Sequence, residues 1–280
     1  MPRVQGLIYV DKVSRVPSTY HRMSTAACLL FASLVAPSGT ASAESPFVVV
    51  VDAGHGGHDP GTLSPWGDGQ SEKTVTLEIA MNVQAALSGR RGIDVVLTRH
   101  NDRFVTLLER RKIAETRRAD LFVSIHADSA PSPLARGASV YTLTEDGRVL
   151  VVSRMRDGVD FRDTSLGGQD RDVTTILGDL KQRSAMNTSA RFAARVALTL
   201  APAVVMRPTF RHVARFAVLK ARGIPAVLIE TGYLTNHDDA RFLFSSFGQR
   251  AVSDAIVRAI LETADDNNGL SDDRSSLADK

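Results

Sequence analysis

Hydrophobic positions change their period several times along the chain, and each change marks an element. Phe47-Val48-Val49-Val50-Val51 follows Pro46 as an unbroken apolar run. Such a run predicts a strand buried on both faces, as in parallel sheets. Residues 53–71 are rich in Gly, Pro, Asp and Ser and predict a long loop. Ser71 stands at an N-cap position, and Val75, Ile79, Val83 and Leu87 then recur every four residues, as on one face of a helix. Asp94–Thr98 predicts a second strand, about 105–117 a helix, and Leu121–His126 a third strand. Strands alternating with helices imply a doubly wound α/β sheet.

Beyond Pro131-Ser132-Pro133 the pattern is weaker. Ala138–Leu143 predicts a strand, and residues 145–172 are polar and charged around Gly167-Gly168. Helical stretches are expected at about 172–183 and 187–201, and strands at Phe216–Leu219 and Ala226–Glu230. A closing helix carries Val252, Ile256, Ala259 and Ile260 on one face. Residues 264–280 are rich in Asp, Asn and Ser and predict a disordered tail. The expected fold is a single α/β domain over 44–263. Its twisted, mixed, mostly parallel sheet has about six strands flanked by helices.

The first 43 residues follow a different logic. Arg3, Lys12, Arg15 and Arg22 precede a short apolar core at 24–36, and Ala41-Ser42-Ala43 offers a cleavage site. This pattern predicts a secretory signal peptide cut after Ala43. The full chain has a formal net charge of +3. The leader removes four basic residues and one acidic one, leaving 30 of each sign. A neutral mature chain gives no nucleic-acid footprint. Its apolar runs are too short for a membrane span, and a monomer is expected. The only cysteine, Cys28, leaves with the leader, which excludes thiol catalysis and suits an oxidising compartment.

Four residues could carry chemistry. His55 lies among glycines directly after the first strand, and His126 ends the third. Glu230 ends a later apolar strand, and Glu72 opens the first helix. Open α/β sheets bind ligands outside the carboxyl ends of their strands, so these side chains can converge. Two histidines and one carboxylate on zinc leave a fourth position for water. A second carboxylate can act as general base. Each residue also has a plainer role open to it. Glu72 could complement a helix dipole, and Glu230 could pair with Arg99 or Arg110. The glycine loop lacks the Gly-Lys-Ser/Thr and G-x-G-x-x-G patterns of phosphate cradles.

Four stretches resemble the amidase-3 family of N-acetylmuramoyl-L-alanine amidases. They are Val-Asp-Ala-Gly-His-Gly-Gly-His-Asp-Pro-Gly at 51–61, Glu-Lys-Thr-Val-Thr-Leu-Glu-Ile-Ala at 72–80, Leu-Phe-Val-Ser-Ile-His-Ala-Asp at 121–128 and Pro-Ala-Val-Leu-Ile-Glu-Thr-Gly-Tyr-Leu-Thr-Asn at 225–236. The resemblance runs from about 47 to 262. It implies Zn2+ held by His55, Glu72 and His126, with Glu230 as the catalytic carboxylate. It leaves out His58 and Glu78. The implied substrate is the amide between N-acetylmuramic acid and L-alanine in peptidoglycan, which matches an exported, periplasmic protein.

The same resemblance extends to regulation. In the subgroup that separates daughter cells, an inserted helix blocks the zinc until an activator protein withdraws it. Residues 145–185 are expected to form such a lid, with Asp172 where the subgroup tends to carry a blocking glutamate. Two rival readings remain. One is a catalytically inactive wall-binding or regulatory protein, and the other is a secreted zinc peptidase or deacetylase.

Overall fold

The computed structural model describes residues 45–67, 69–146 and 168–278. The expected leader and most of the expected lid lie outside them. Six strands form one sheet: β1 (Phe47–Ala53), β2 (Ile93–Leu97), β3 (Leu121–Asp128), β4 (Ala138–Leu143), β5 (Met206–Ala214) and β6 (Ala226–Tyr233). Five helices accompany it: α1 (Glu72–Leu87), α2 (Leu107–Thr116), α3 (Gly168–Leu200), α4 (His237–Leu243) and α5 (Ser246–Ala278). The strand order is β2-β1-β3-β6-β4-β5. The first four strands in that order run parallel, and β4 lies antiparallel to β6. β5 follows the direction of β4. The carboxyl ends of β1, β3 and β6 therefore share an edge with the starts of β4 and β5.

Alternate residues of the central strands enter two cores, as the two-residue period of a strand requires. Val49, Val51, Val123, Ile125, Val227 and Ile229 face one side. There they meet Ile79 of α1, Phe192 of α3 and Ile256 of α5. Val50, Phe122 and Leu228 face the other, against Ala114 of α2 and Val218 and Leu219. Both faces are covered, which is why β1 reads as unbroken valine rather than as an alternating pattern.

Three expectations need correction. The two helical stretches at 172–183 and 187–201 are one helix, α3. Ala185 is buried between them, Gln182 Oε1 accepts from Gly223 N, and Ser189 Oγ donates to Ala185 O, so packing runs through the Ser-Ala-Met-Asn stretch. Residues Phe216–Leu219 form no strand; Ala217–Leu219 make a 3-10 turn that tucks Val218 and Leu219 into the second core. The strand sits earlier, at β5, where Arg207, Pro208 and Arg211 hide it from an apolar search. Such residues are typical of an edge strand, which they protect from further pairing. Third, α5 continues to Ala278 through the segment expected to be a tail. Ala264 is buried, and Arg195 of α3 pairs with Glu262 and Asp266.

The last helix is therefore a load on the core rather than an appendage. Replacing the fully buried Ile256 by alanine is expected to cost about 2–5 kcal/mol. Urea denaturation measures this, and a loss below about 1 kcal/mol contradicts the packing described.

Candidate metal centre and active site

The site is built on the end of β1. Asp52 is fully buried, and its carboxylate accepts from Arg110 Nη1 at 2.6 Å, Thr98 Oγ1 at 2.7 Å and Ser124 Oγ at 2.7 Å. Arg110 sits on the first turn of α2, which a reciprocal cap between Thr106 and Glu109 starts. It donates further to Ala53 O at 2.6 Å and His55 O at 2.7 Å. Arg99, wholly buried, donates to Ala53 O at 3.0 Å, Gly54 O at 2.8 Å and Lys73 O at 2.7 Å. Burial, and then the charge of Arg110, lower Arg99 to about 10, so it stays charged at neutral pH. Neither arginine pairs with Glu230. The three carbonyls that follow Asp52 are thus all held by guanidinium groups.

Held in this way, His55 adopts a φ of 60°, a region costly for a residue with a Cβ. Two neighbouring glycines leave the room that the surrounding side chains need. A Cβ on Gly54 would lie 2.5 Å from His126 Cε1. One on Gly61, whose φ is 63°, would lie 2.6 Å from Glu72 Oε2 and 2.7 Å from His55 Cδ2.

His55, Glu72 and His126 come together at the sheet edge. Glu72 Oε1 lies 3.1 Å from His55 Nε2 and 2.9 Å from His126 Nδ1. One donor atom from each residue falls within 4.8 Å of the others. Ser71 precedes Glu72 as expected, but its hydroxyl contacts Thr74 rather than capping the helix. Backbone amides fix the Glu72 carboxylate, from Thr62 at 3.0 Å and Ala127 at 3.1 Å. Burial would raise Glu72, but its contacts with His126 and His55 outweigh this and hold it well below the usual carboxylate range. Burial would lower His55, yet Glu72 and Asp59 prevail and raise it.

Glu230 pairs with His126 across β3 and β6 and with Ser139 across β6 and β4. Its Oε2 is buried and has no hydrogen-bond partner among the described residues. Burial, then the charges of Glu72 and Asp128, push this carboxyl well above its usual range. His55, Glu72 and His126 therefore meet, and Glu230 stands one strand pairing from His126, near enough for Glu72 to act on its carboxyl. His58, left out, is exposed against Phe104 at a ring separation of 4.1 Å, and Glu78 is exposed on α1.

Sequence reasoning missed several neighbours. Asp59 Oδ2 lies 2.9 Å from His55 Nδ1, so it orients the ring and leaves Nε2 for Glu72. Its position four residues after His55 in the glycine loop was the available signal. Tyr233 is buried beside Asp128, and Arg207 Nη1 donates to its hydroxyl at 2.8 Å. Burial, then the bond and charge of Asp128, push that hydroxyl up to about 12. Nothing in the pattern of β5 marked Arg207. Cavity size is no guide to the chemistry here. A pocket of about 640 Å³ lies at the opposite sheet edge, by Phe47, Asp120, Lys181 and Pro225, and contains none of these residues.

A mixed α/β sheet that gathers two imidazoles, a carboxylate and a second, buried carboxyl at its edge has the equipment of a hydrolase. Comparison with known proteins gives the class a family. Residues 49–262 match the Amidase_3 model, described as N-acetylmuramoyl-L-alanine amidase. The amidase AmiA of Salmonella typhimurium is 35% identical over 219 residues, covering 76% of this chain and 75% of that protein. AmiC of Neisseria meningitidis serogroup B is 34% identical over 217 residues, covering 76% and 51%. Among solved structures, the catalytic domain of the amidase CwlV from Bacillus (Paenibacillus) polymyxa var. colistinus is 30% identical. It aligns with a TM-score of 0.60 over 78% of this chain and 98% of that one. AmiC2 of Nostoc punctiforme is 31% identical, with a TM-score of 0.54 over 77% and 96%. The chain belongs to the N-acetylmuramoyl-L-alanine amidase family. Its activity is accordingly hydrolysis of the amide between N-acetylmuramic acid and L-alanine in peptidoglycan, rather than peptidase or deacetylase chemistry.

The shifted groups set a pH dependence for the metal-free protein. His55 and Glu230 titrate above their ordinary 6.5 and 4.5. Each stabilises the fold at low pH and loses that contribution as pH rises through its folded value. Glu72 and Asp59 titrate below their ordinary 4.5 and 3.8 and lose their contribution as pH falls. Stability in the presence of a chelator is therefore expected to decline as pH rises past the ordinary imidazole value of 6.5. Melting curves that stay level or rise there contradict the assignment.

Proposed function

We propose that this amidase is zinc-dependent, with His55, Glu72 and His126 holding the ion and Glu230 moving the proton. The observation that carries the reading is one Glu72 oxygen in contact with both imidazoles, beside a buried Glu230 oxygen that lacks a partner. Two imidazoles and a carboxylate suit zinc. Glu72, Glu230 and Asp128 also crowd acidic charge around one place. When bound, zinc supplies Lewis acidity at the scissile carbonyl and acidifies a water toward neutrality.

The chain's own residues do the rest. Asp59 holds the His55 ring by Nδ1, so Nε2 faces inward. The amides of Thr62 and Ala127 hold Glu72 against rotation. Glu230, kept from water and beside other acids, binds a proton more tightly than an ordinary glutamate. That suits a group that takes a proton from the attacking water and returns it to the leaving amine. Replacing Glu230 by glutamine is expected to leave zinc content unchanged and lower turnover by about 100-fold or more. Released peptides from the parent protein should begin with L-alanine. Full activity in the variant removes Glu230 from the mechanism.

The finer biological reading is export to the periplasm after cleavage at Ala43, with a role in wall remodelling or daughter-cell separation. Its supports are the leader pattern and the substrate. Among the described residues no helix is long and apolar enough to cross a membrane. For 145–185, a regulatory segment that an activator protein engages remains the proposal. Residues 147–167 and the side chain of Asp172 lie outside the described residues. Gln182 and Ser189 anchor α3 at Gly223 and Ala226, where β6 starts. Ile176, Leu177 and Leu180 are exposed on the same helix and suit an apolar partner. Replacing 147–167 by a short flexible linker is expected to raise turnover on bare peptidoglycan. Unchanged turnover would make the segment a plain surface insertion.

A further inference from the structure

The reversed strands bring one more charged group to the catalytic edge. β5 starts at Met206 opposite Ala138, and the next residue of β4, Ser139, pairs with Glu230. The Arg207 backbone is therefore two strands, roughly 10 Å, from that of Glu230. Its side chain reaches across β4 to the Tyr233 hydroxyl at 2.8 Å, with the guanidinium carbon 5.7 Å from the ring centre. Tyr233 pairs with Asp128 across β6 and β3, and the Asp128 carboxylate acts on its hydroxyl. The charge of Asp128 acts in turn on Glu230. Glu230, Asp128, Tyr233 and Arg207 thus form one row that leads outward from the reacting centre.

Arg207 differs from the other arginines in the row's surroundings. Arg136 pairs with Asp238 at 3.3 Å and Asp239 at 3.7 Å. Arg99 and Arg110 are buried on backbone carbonyls and Asp52. Arg207 is part-exposed, and its side-chain contacts among the described residues are with neutral Tyr233. A guanidinium has five N–H donors, and the phenol takes one. The phenol, held in place by Asp128, orients the group without neutralising it. What remains is a fork-shaped cation with free donors at the mouth of an acidic site. That is a receptor for a carboxylate.

We propose that Arg207 forms a carboxylate subsite for the peptide side of the substrate, recognising an acidic residue just beyond the scissile amide. The proposal rests on the amidase reading above. It makes Arg207 a residue of substrate choice rather than of bond cleavage, with Tyr233 as the positioning residue behind it.

The test uses two soluble muramyl peptides that differ only at the second amino acid, one with a free α-carboxylate and one with the carboxamide. Arg207→Met is expected to raise KM for the free acid by about 10–100-fold, the scale of a lost charge-assisted hydrogen bond, with kcat little changed. KM for the carboxamide should move less than about 2-fold, since no charge-assisted bond is lost there. Arg207→Lys should recover part of the loss, and zinc content and melting temperature should match the parent protein. An equal rise in KM on both substrates, no rise on the free acid, or a loss of zinc or fold overturns the subsite. If the parent protein cleaves neither peptide, the amidase reading itself falls, and the subsite with it.

Discussion

Two buried guanidinium groups hold the active site in shape. Ala53, Gly54 and His55 end a buried strand with their carbonyls turned away from the sheet ladder, and Arg99 and Arg110 satisfy all three. Burying a cation is expensive unless its donors are occupied. Here they are: Asp52 balances Arg110 directly, and Arg99 spends its donors on carbonyls and Thr76. The arrangement has no cheap partial form. Removing Asp52 would strand a buried charge, and removing either arginine would strand carbonyls. The left-handed backbone of His55 persists because this frame over-determines it.

From that frame the rest of the chemistry follows as a problem of charge. Glu72 lies between two imidazoles and is held strongly anionic. Glu230, one strand pairing away, has no such partner and is held toward the neutral form. Two glutamates in one cleft are therefore driven in opposite directions by their surroundings. One is drawn toward the charged form and the other toward the neutral one. The contrast needs no difference in residue type, only the two histidines beside one of them and the lack of a partner at the other.

Much of this was legible in the chain. The valine run of β1, the four-residue rhythm of α1 and the apolar β3 and β6 all announced themselves, because burial on two faces leaves an uninterrupted hydrophobic trace. His55, His126 and Glu230 were visible because each ends such a trace, and Glu72 because it opens a helix. What stayed hidden had no apolar signature. β5 is an exposed edge strand with arginines and a proline, so it reads as loop. Phe216–Leu219 is apolar enough for a strand but only long enough to plug a core. The continuity of α3 through 184–187 depends on tertiary contacts of Gln182, Ala185 and Ser189. Asp59 and Tyr233 act through neighbours that only the folded chain supplies.

The reversal of β4 and β5 divides the sheet into two halves with separate duties. Every group proposed for the metal or the proton comes from β3, β6, the loop after β1 and the first residue of α1. The other two strands touch that machinery through a short stretch of pairing, Ser139 to Tyr141 against Glu230 to Leu228. They present their starting residues, not their finishing ones, to the same rim. Changes in 130–138 and 201–211 can thus reshape what the rim admits while the engine behind it keeps its dimensions. The molecule is in effect a fixed vice with an adjustable jaw.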